Sequence, residues 1–219
     1  MTNQLTPRGV TVPTPDSALA AVRSWPSKAA WEWTRDAVAA ARRDMAVDAI
    51  VATGSAIRDV ERTDDLDLVL VYRERRPTLS RPPMDVDVRQ YERADVPRLL
   101  KSGHDYLAWT VRFGRPLFER DGTWAALRAD WIDRVATPSA DEARVRAQKM
   151  QRLRDDMLAV GDHDAAADLE ISMLTHLARA ALSEAGVFPL SRPELPGQLR
   201  DIGDHALADR LDQALRHRP

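Results

Sequence analysis

The segment VDAIVATGS at residues 47–55, followed by DLDLVLVY at residues 65–72, decides the fold of this chain. The first part is short, rich in β-branched residues and stopped by Gly54, which predicts a strand that ends in a tight turn. The second part is a nearly continuous run of leucine and valine, which predicts a central strand covered on both faces. We therefore expect two strands of one sheet, the first of which ends in a glycine-serine turn.

Helical and extended patterns flank these two strands. Apolar residues recur at helical spacing over residues 27–45, which predicts a helix with Ser27 as its N-cap. Over residues 84–91 apolar and polar residues alternate, which predicts a third strand. The other expected segments are helices over 95–101, 104–113 and 123–135, an extended piece over 116–118, and helices over 141–160, 165–185 and 205–215.

The predicted secondary structure changes near residue 138, because every segment predicted after this point is helical. We expect an α+β protein with two domains: a sheet-containing domain over residues 1–138, flanked by helices, and an all-α helical bundle over residues 139–219. Prolines in residues 1–16 predict an irregular leader.

Composition limits the classes of protein to which the chain can belong. It has no cysteine, which excludes a disulfide framework, a thiolate metal site and a cysteine nucleophile. A formal net charge of -2 gives no indication of stable nucleic-acid binding. No apolar run is long enough to cross a membrane and the start has no signal-peptide pattern, so we expect a cytoplasmic protein. Only three of the 32 basic residues are lysine, a bias typical of GC-rich bacterial genomes.

Acidic residues stand where the second and third strands begin. Side chains two positions apart in a strand point to the same side, so we expect Asp65 and Asp67 to project together, about 6 to 7 Å apart along the backbone. An aspartate of the next strand, Asp85 or Asp87, can complete a site for two Mg²⁺ ions about 3.5 to 4 Å apart. Because like charges at close range raise each other's pKa, such a cluster implies bound cations.

Gly54 and Ser55 supply the second part of this expected site. Glycine lets the backbone approach a phosphate closely, and the serine offers a hydroxyl and an amide at the start of a short helix predicted over residues 56–60. Phosphoryl transfer requires mainly positioning and charge neutralisation from a protein. The turn and the acids together predict an enzyme that handles a nucleoside triphosphate with Mg²⁺.

The motifs Gly54-Ser55, Asp65-Leu66-Asp67 and Asp87 resemble the DNA-polymerase-β-like nucleotidyltransferase superfamily, particularly its small bacterial members. The resemblance covers about residues 47–120. It implies a small mixed sheet with flanking helices, two divalent ions, and transfer of a nucleoside monophosphate, usually AMP from ATP, with release of pyrophosphate. The region after residue 138 is similar to HEPN-like or kanamycin-nucleotidyltransferase-type helical bundles.

The resemblance also implies roles for single residues. Asp65 and Asp67 would bind both ions, while Asp87, which fits the family spacing better than Asp85, would bind one ion and activate the acceptor hydroxyl. Gly54-Ser55 would hold phosphate.

Three positions near this turn depart from the family pattern. Ala56 stands where the family often has an arginine, so Arg58 is the nearest candidate for a nucleotide contact; Asp59 replaces a common glycine and Asp64 a common serine. The triphosphate contacts are therefore expected to follow the family less closely than the metal contacts do.

The acceptor stays open at this level. It is either a small hydroxylated molecule such as an aminoglycoside, or a protein side chain, as for nucleotidyltransferase antitoxins that modify a HEPN toxin partner. The bundle would supply the acceptor pocket or a homodimer face, and Tyr106 and Trp109 are candidates to line an acceptor cleft. Two other classes compete: a catalytically weak nucleotide-binding or interaction module, and a HEPN-type ribonuclease suggested by Arg200 before His205 and by Arg210 before His217.

Overall fold

A computed structural model describes residues 18–58 and 63–217. Its strands are β1 (Val47–Thr53), β2 (Leu66–Tyr72), β3 (Val86–Glu92) and β4 (Arg115–Glu119). Its helices are α1 (Lys28–Arg43), α2 (Val96–Lys101), α3 (Asp105–Phe113), α4 (Thr123–Trp131), α5 (Ala140–Ala159), α6 (His163–Glu184), α7 (Leu195–Asp201) and α8 (His205–Arg216). The leader predicted for residues 1–16 and the end of the short helix predicted for residues 56–60 lie outside the described residues.

The four strands form one mixed sheet in the order β3-β2-β1-β4. Strand β1 is antiparallel to both β2 and β4, whereas β2 and β3 are parallel. The end of β1 and the starts of β2 and β3 consequently meet at one edge of the sheet. The expected α+β fold with a small mixed sheet and flanking helices is confirmed.

Strand β2 is covered on both faces, as its apolar run predicts. Leu66, Leu68 and Leu70 point into a core that includes α1, while Val69 and Val71 point into a second core formed with α2, α3 and α4. Because side chains alternate along a strand, Asp67 lies on the same face as Val69 and Val71. That face is covered by α3.

Local hydrogen bonds account for where two of the helices begin. The Ser27 hydroxyl accepts from the Ala30 amide at 3.0 Å, so this residue is the N-cap of α1, as predicted. At α3 the cap is His104, whose Nδ1 accepts from the Leu107 amide at 3.3 Å. Both caps satisfy amide donors that have no partner within the first turn of a helix.

All the regular secondary structure after residue 139 is helical in the part of the chain that the structure describes. Helices α5 to α8 share a separate core that includes Leu174, Leu182, Leu199 and Leu211. Phe188, in the connection after α6, packs instead on the sheet-side core, with its ring 5.8 Å from that of Phe113. The boundary near residue 138 stays a prediction, and the short helix α7 has no counterpart in the sequence pattern. None of the described helices has the length and apolar character needed to cross a membrane.

One buried carboxylate ties the far end of the sheet together. Asp48, in β1, is fully buried; its Oδ1 accepts from Arg73 Nε at 2.7 Å, and its Oδ2 lies 3.4 Å from an Arg93 guanidinium nitrogen. The β1–β2 register shifts between Val47 and Ala49, which places Asp48 at an irregularity in the ladder. This ion pair joins β1 to the residues that follow β2 and β3.

We expect Asp48→Asn to lower the free energy of unfolding by about 2 kcal/mol, because it removes the charge from a buried, hydrogen-bonded acceptor. Asp36→Asn is the matched control, since the pair of Asp36 with Arg35 is exposed and its loss should change stability by less than about 0.5 kcal/mol. Urea unfolding measures both values. Equal effects would show that the buried pair does not support the sheet.

Candidate active site

Three polar side chains stand in a row across the edge where β1 ends. Thr53, the last residue of β1, is paired with Asp67 of β2, which is paired in turn with Asp87 of the parallel strand β3. The Leu66 amide donates to the Asp85 carbonyl at 2.8 Å, which fixes the starts of the two parallel strands side by side. The pairing sets Asp87, and not Asp85, beside Asp67.

Asp65 lies just outside the strand in which it was expected. Strand β2 begins at Leu66, and the Thr63 hydroxyl donates to the Asp65 carbonyl at 2.9 Å, so Asp65 belongs to the turn before the strand. Its side chain is exposed, whereas that of Asp67 is half-buried. Both residues nevertheless line the same cleft.

The environment of Asp67 disfavours the charged form of its carboxyl group. Burial raises the pKa of its carboxyl to about 6, and the negative charges of Asp65 and Asp87 contribute in the same direction. Arg89 and the hydroxyl of Tyr106 act in the opposite direction but do not offset the rise. Asp65 and Asp87, both predicted to act with Asp67, are therefore close enough to repel its negative charge.

Arg89 and Tyr106 connect Asp87 to Asp67. Arg89 Nε donates to Asp87 Oδ2 at 3.1 Å, and the guanidinium carbon lies 4.0 Å from the centroid of the Tyr106 ring. The Tyr106 hydroxyl donates to Asp67 Oδ1 at 3.4 Å. The sequence offered no signal for Arg89 beyond its position two residues after Asp87, since arginines are abundant throughout this chain.

Gly54 follows β1 with φ 78° and ψ -158°, a backbone conformation that residues with a side chain rarely adopt. A Cβ built on Gly54 would lie 2.5 Å from Asp67 Oδ2. Glycine is thus required here on two grounds, the backbone angle and the approach of the carboxylate. Its predicted contact with phosphate stays a prediction.

Ser55 opens a single 3-10 turn, Ser55–Ile57, where the sequence predicted a short helix. Its Oγ lies 2.6 Å from Thr63 Oγ1. Because the Thr63 proton is donated to the Asp65 carbonyl, Ser55 is the donor in this pair. The two hydroxyls join the turn after β1 to the residues before β2.

Arg58 does not lie with the other predicted site residues. Its Nε lies 3.0 Å from both carboxylate oxygens of Glu194, and a terminal nitrogen lies 2.5 Å from one of them. Its guanidinium carbon lies 5.3 Å from the centroid of the Phe113 ring. Burial alone would raise the pKa of Glu194, but the hydrogen bonds from Arg58 and from the Ser191 hydroxyl outweigh it and lower this pKa. Arg58 therefore joins the Gly-Ser turn to the helical region, and its role in nucleotide binding stays a prediction.

A cleft of about 1010 Å³ opens between the helical bundle and the end of the sheet that carries Asp65, Asp67 and Asp87, which we call the acidic edge. Gly54, Ser55, Asp65 and Asp67 line it on the side of the sheet. The aromatic residues Tyr106 and Trp109 also line it, and their contact with an acceptor stays a prediction. Residues that the sequence did not single out line the opposite wall: Arg146, His176, Arg179, Arg192.

Across residues 18–58 and 63–217, no three histidine, cysteine, aspartate or glutamate side chains stand together in an arrangement that could hold a metal ion. At the acidic edge, one carboxylate oxygen of Asp87 accepts a hydrogen bond from Arg89.

The arginines of the two Arg-spacer-His elements are engaged elsewhere. Arg200 pairs with Asp209 at 3.0 Å and with Asp212 at 3.2 Å, while Arg210 lies 3.5 Å from Glu170. Neither arginine lines the cleft. The geometry gives the ribonuclease hypothesis no support.

Comparison with known proteins gives no family assignment. No family model matches the chain, and no curated protein matches it. Among solved structures, the chain is similar to a nucleotidyltransferase-like protein from Exiguobacterium sibiricum 255-15, with 18% sequence identity over 84% of this chain and 71% of that one and a TM-score of 0.36. At this level of similarity, a functional conclusion depends on the site residues themselves.

We expect Gly54→Ala to destabilise the protein by about 2 kcal/mol, because a methyl group would combine a strained φ with a contact to Asp67. The control is Gly197→Ala in α7, where a Cβ meets no atom within 4 Å and alanine should stabilise the helix by about 0.5 to 1 kcal/mol. Chemical unfolding of both variants tests this. A neutral result for Gly54→Ala would contradict the close approach.

The raised pKa of Asp67 has a defined consequence for stability. Between the ordinary value of 3.8 and about 6, the folded protein holds a proton that the unfolded chain has released. Stability therefore falls as pH rises through this window and stays low above it. Asp67→Asn should raise the free energy of unfolding by up to about 3 kcal/mol near neutral pH, and by about half as much near pH 5.

Urea unfolding of the metal-free protein at the two pH values measures this gain. Asp156→Asn, an exposed position on α5, is the control and should give no pH-dependent gain. An equal gain from Asp67→Asn at both pH values would show that charge repulsion is not its source.

Proposed function

We propose that this protein is a metal-dependent nucleotidyltransferase that transfers a nucleoside monophosphate, AMP from ATP, to a hydroxyl acceptor and releases pyrophosphate. The observation that carries the proposal is the pairing of Asp67 with Asp87 on parallel strands, beside the Gly54-Ser55 turn at the end of β1. Carboxylates that share two ions, beside a turn that allows close approach to phosphate, supply the charge neutralisation and positioning that phosphoryl transfer needs. The cleft of about 1010 Å³, which is lined by Gly54, Ser55 and Asp67, has room for a nucleotide and part of an acceptor.

The donor set fits Mg²⁺ chemically. All three candidate ligands are carboxylates, and the raised pKa of Asp67 is the behaviour expected of a carboxyl that is largely buried and held near like charges without a cation. Asp65 and Asp67 would bind both ions and Asp87 one. The hydrogen bond from Arg89 engages only Oδ2 of Asp87, which leaves Oδ1 for the ion.

The bound ions would neutralise charge on the phosphates and on the attacking and leaving oxygens. Gly54 and Ser55 would hold the triphosphate through close backbone approach and a hydroxyl. Asp87 would accept the proton of the acceptor hydroxyl, whose oxygen forms a bond to the α-phosphorus while the bond to pyrophosphate breaks. Tyr106 would keep Asp67 in place through its hydrogen bond.

One observation favours the alternative of a nucleotide-binding module with weak catalysis. Arg89 and Asp87 already neutralise each other in part, and a site closed in this way could bind a nucleotide without assembling a second metal position. Nucleotide binding without any transfer would support this alternative.

The transfer assay uses α-labelled triphosphates and Mg²⁺ with a panel of hydroxylated small molecules and a bacterial lysate. We expect label to reach a discrete acceptor, with pyrophosphate release that chelation of divalent ions abolishes. A mass shift of the labelled product identifies the nucleotide and separates a small-molecule acceptor from a protein acceptor.

Asp67→Asn and Asp65→Asn should each reduce transfer at least about 100-fold, because each removes a shared metal ligand. The control is Asp85→Asn, which lies two residues before Asp87, keeps the backbone carbonyl that binds Leu66, and should retain activity within about threefold. Full transfer by Asp67→Asn would contradict the assignment of the acids.

A further inference from the structure

Three arginines converge on the bundle wall of the cleft, opposite the acidic edge. Arg146 comes from α5, Arg179 from α6 and Arg192 from the 3-10 turn Arg192–Glu194. His176 stands one helical turn before Arg179, on the same side of α6. Since three separate elements bring these side chains to one cavity, the wall is a property of the fold and not of a single helix.

Arg146 is largely neutralised by its neighbours. Its guanidinium donates to Asp105 at 2.5 Å and lies 3.5 Å from a carboxylate oxygen of Glu142. Hydrogen bonds from Arg146 overcome the effect of burial and lower the pKa of Asp105. This pair joins α5 to the start of α3.

Arg179 is different, because it forms no hydrogen bond or ion pair with any residue in the described ranges. It is half-buried and lines the cleft. Burial lowers the pKa of its guanidinium, and the positive charge of Arg192 lowers it further. A half-buried guanidinium with unused donors, with another guanidinium nearby, favours the binding of an anion.

His176 does not relieve this excess of positive charge, and it adds none. Burial lowers the pKa of its imidazole to about 4, and Arg179 and Arg146 contribute to the decrease. The ring is therefore neutral at physiological pH. Because the imidazole is neutral, it adds no positive charge to that of the guanidinium groups on this wall.

We propose that Arg179, with the positive charge of Arg192 nearby, forms a phosphate-binding subsite for the acceptor, so that the enzyme modifies a phosphorylated hydroxyl compound and not a polycationic one. This inference rests on the proposed function, which assigns the triphosphate to Gly54-Ser55 on the other wall. The donor fork of Arg179 can bind two oxygens of a phosphate, whose double negative charge also suits a site with a second guanidinium nearby better than the single charge of a carboxylate does. A polycation such as an aminoglycoside would meet like charges at this wall.

The position of the subsite suits an acceptor that spans the cleft. The charges of Asp105 and Asp67 both act on Arg179, which places it within electrostatic range of the acidic edge. A small molecule held by its phosphate at this wall would extend its hydroxyl toward Asp67 and Asp87. The phosphate group then works as the anchor, and the hydroxyl as the nucleophile.

The test titrates inorganic phosphate into the protein by calorimetry, both alone and after saturation with Mg²⁺ and a non-hydrolysable ATP analogue. We expect phosphate to bind in both cases. Arg179→Met should weaken phosphate binding at least about tenfold and leave the affinity for the ATP analogue within about twofold. Arg179→Lys, which keeps the charge but loses the donor fork, should fall between the two.

Arg210→Met is the control, because Arg210 is an exposed arginine of α8 outside the cleft; it should change neither affinity. Thermal unfolding of each variant establishes that it is folded. Failure of phosphate to bind the nucleotide-saturated protein, or an equal loss of phosphate and nucleotide affinity in Arg179→Met, would overturn the proposal by assigning the arginines to the triphosphate.

The two proposals fail separately in this design. If the wild-type protein binds no Mg²⁺-nucleotide, the proposed function fails, and phosphate binding to the nucleotide-free protein still reports on the arginines. If nucleotide binds and phosphate does not, only the acceptor subsite fails.

Discussion

The half-buried carboxylate of Asp67, placed between the charges of Asp65 and Asp87, is the constraint on which the rest of the site depends. Burial and like charge raise its pKa to about 6, so the metal-free protein gains stability when this carboxyl is neutral. Because the charged carboxyl lowers the stability of the metal-free protein, its presence indicates a functional role. A divalent cation turns the same repulsion into a shared ligand set, which is why the acids and the proposed chemistry belong together.

The topology of the sheet creates this constraint. Because β2 and β3 are parallel, their acidic starts lie side by side, and because β1 runs in the opposite direction, its end brings Gly54 against Asp67. Helix α3 covers the same face and supplies the Tyr106 hydroxyl. On the far side of the cleft, the helical bundle contributes guanidinium groups, so that one cavity has an acidic wall and a basic wall. This division would give the two ends of the proposed acceptor different environments.

The sequence pattern predicted those features that depend on residues close together in the chain. The strands, the Ser27 cap and the need for glycine at position 54 follow from apolar runs, side-chain chemistry and backbone freedom. Long-range pairs could not be predicted in this way. The ion pair between Arg58 and Glu194 joins residues far apart in sequence, and Arg179 is distinguished from other arginines only by what surrounds it. Asp65 falls just before its strand because a hydrogen bond from Thr63 closes a turn there.

The most direct measurement is the pKa of the Asp67 carboxyl by carbon-detected NMR, first without divalent ions and then with Mg²⁺ and a non-hydrolysable ATP analogue. The account predicts a value of about 6 in the metal-free protein and a value below the ordinary 3.8 in the complex, because bound cations stabilise the charged form. A pKa that stays near 6 when the nucleotide is bound would show that Asp67 holds no metal, and the proposed catalytic role of the acidic edge would be wrong.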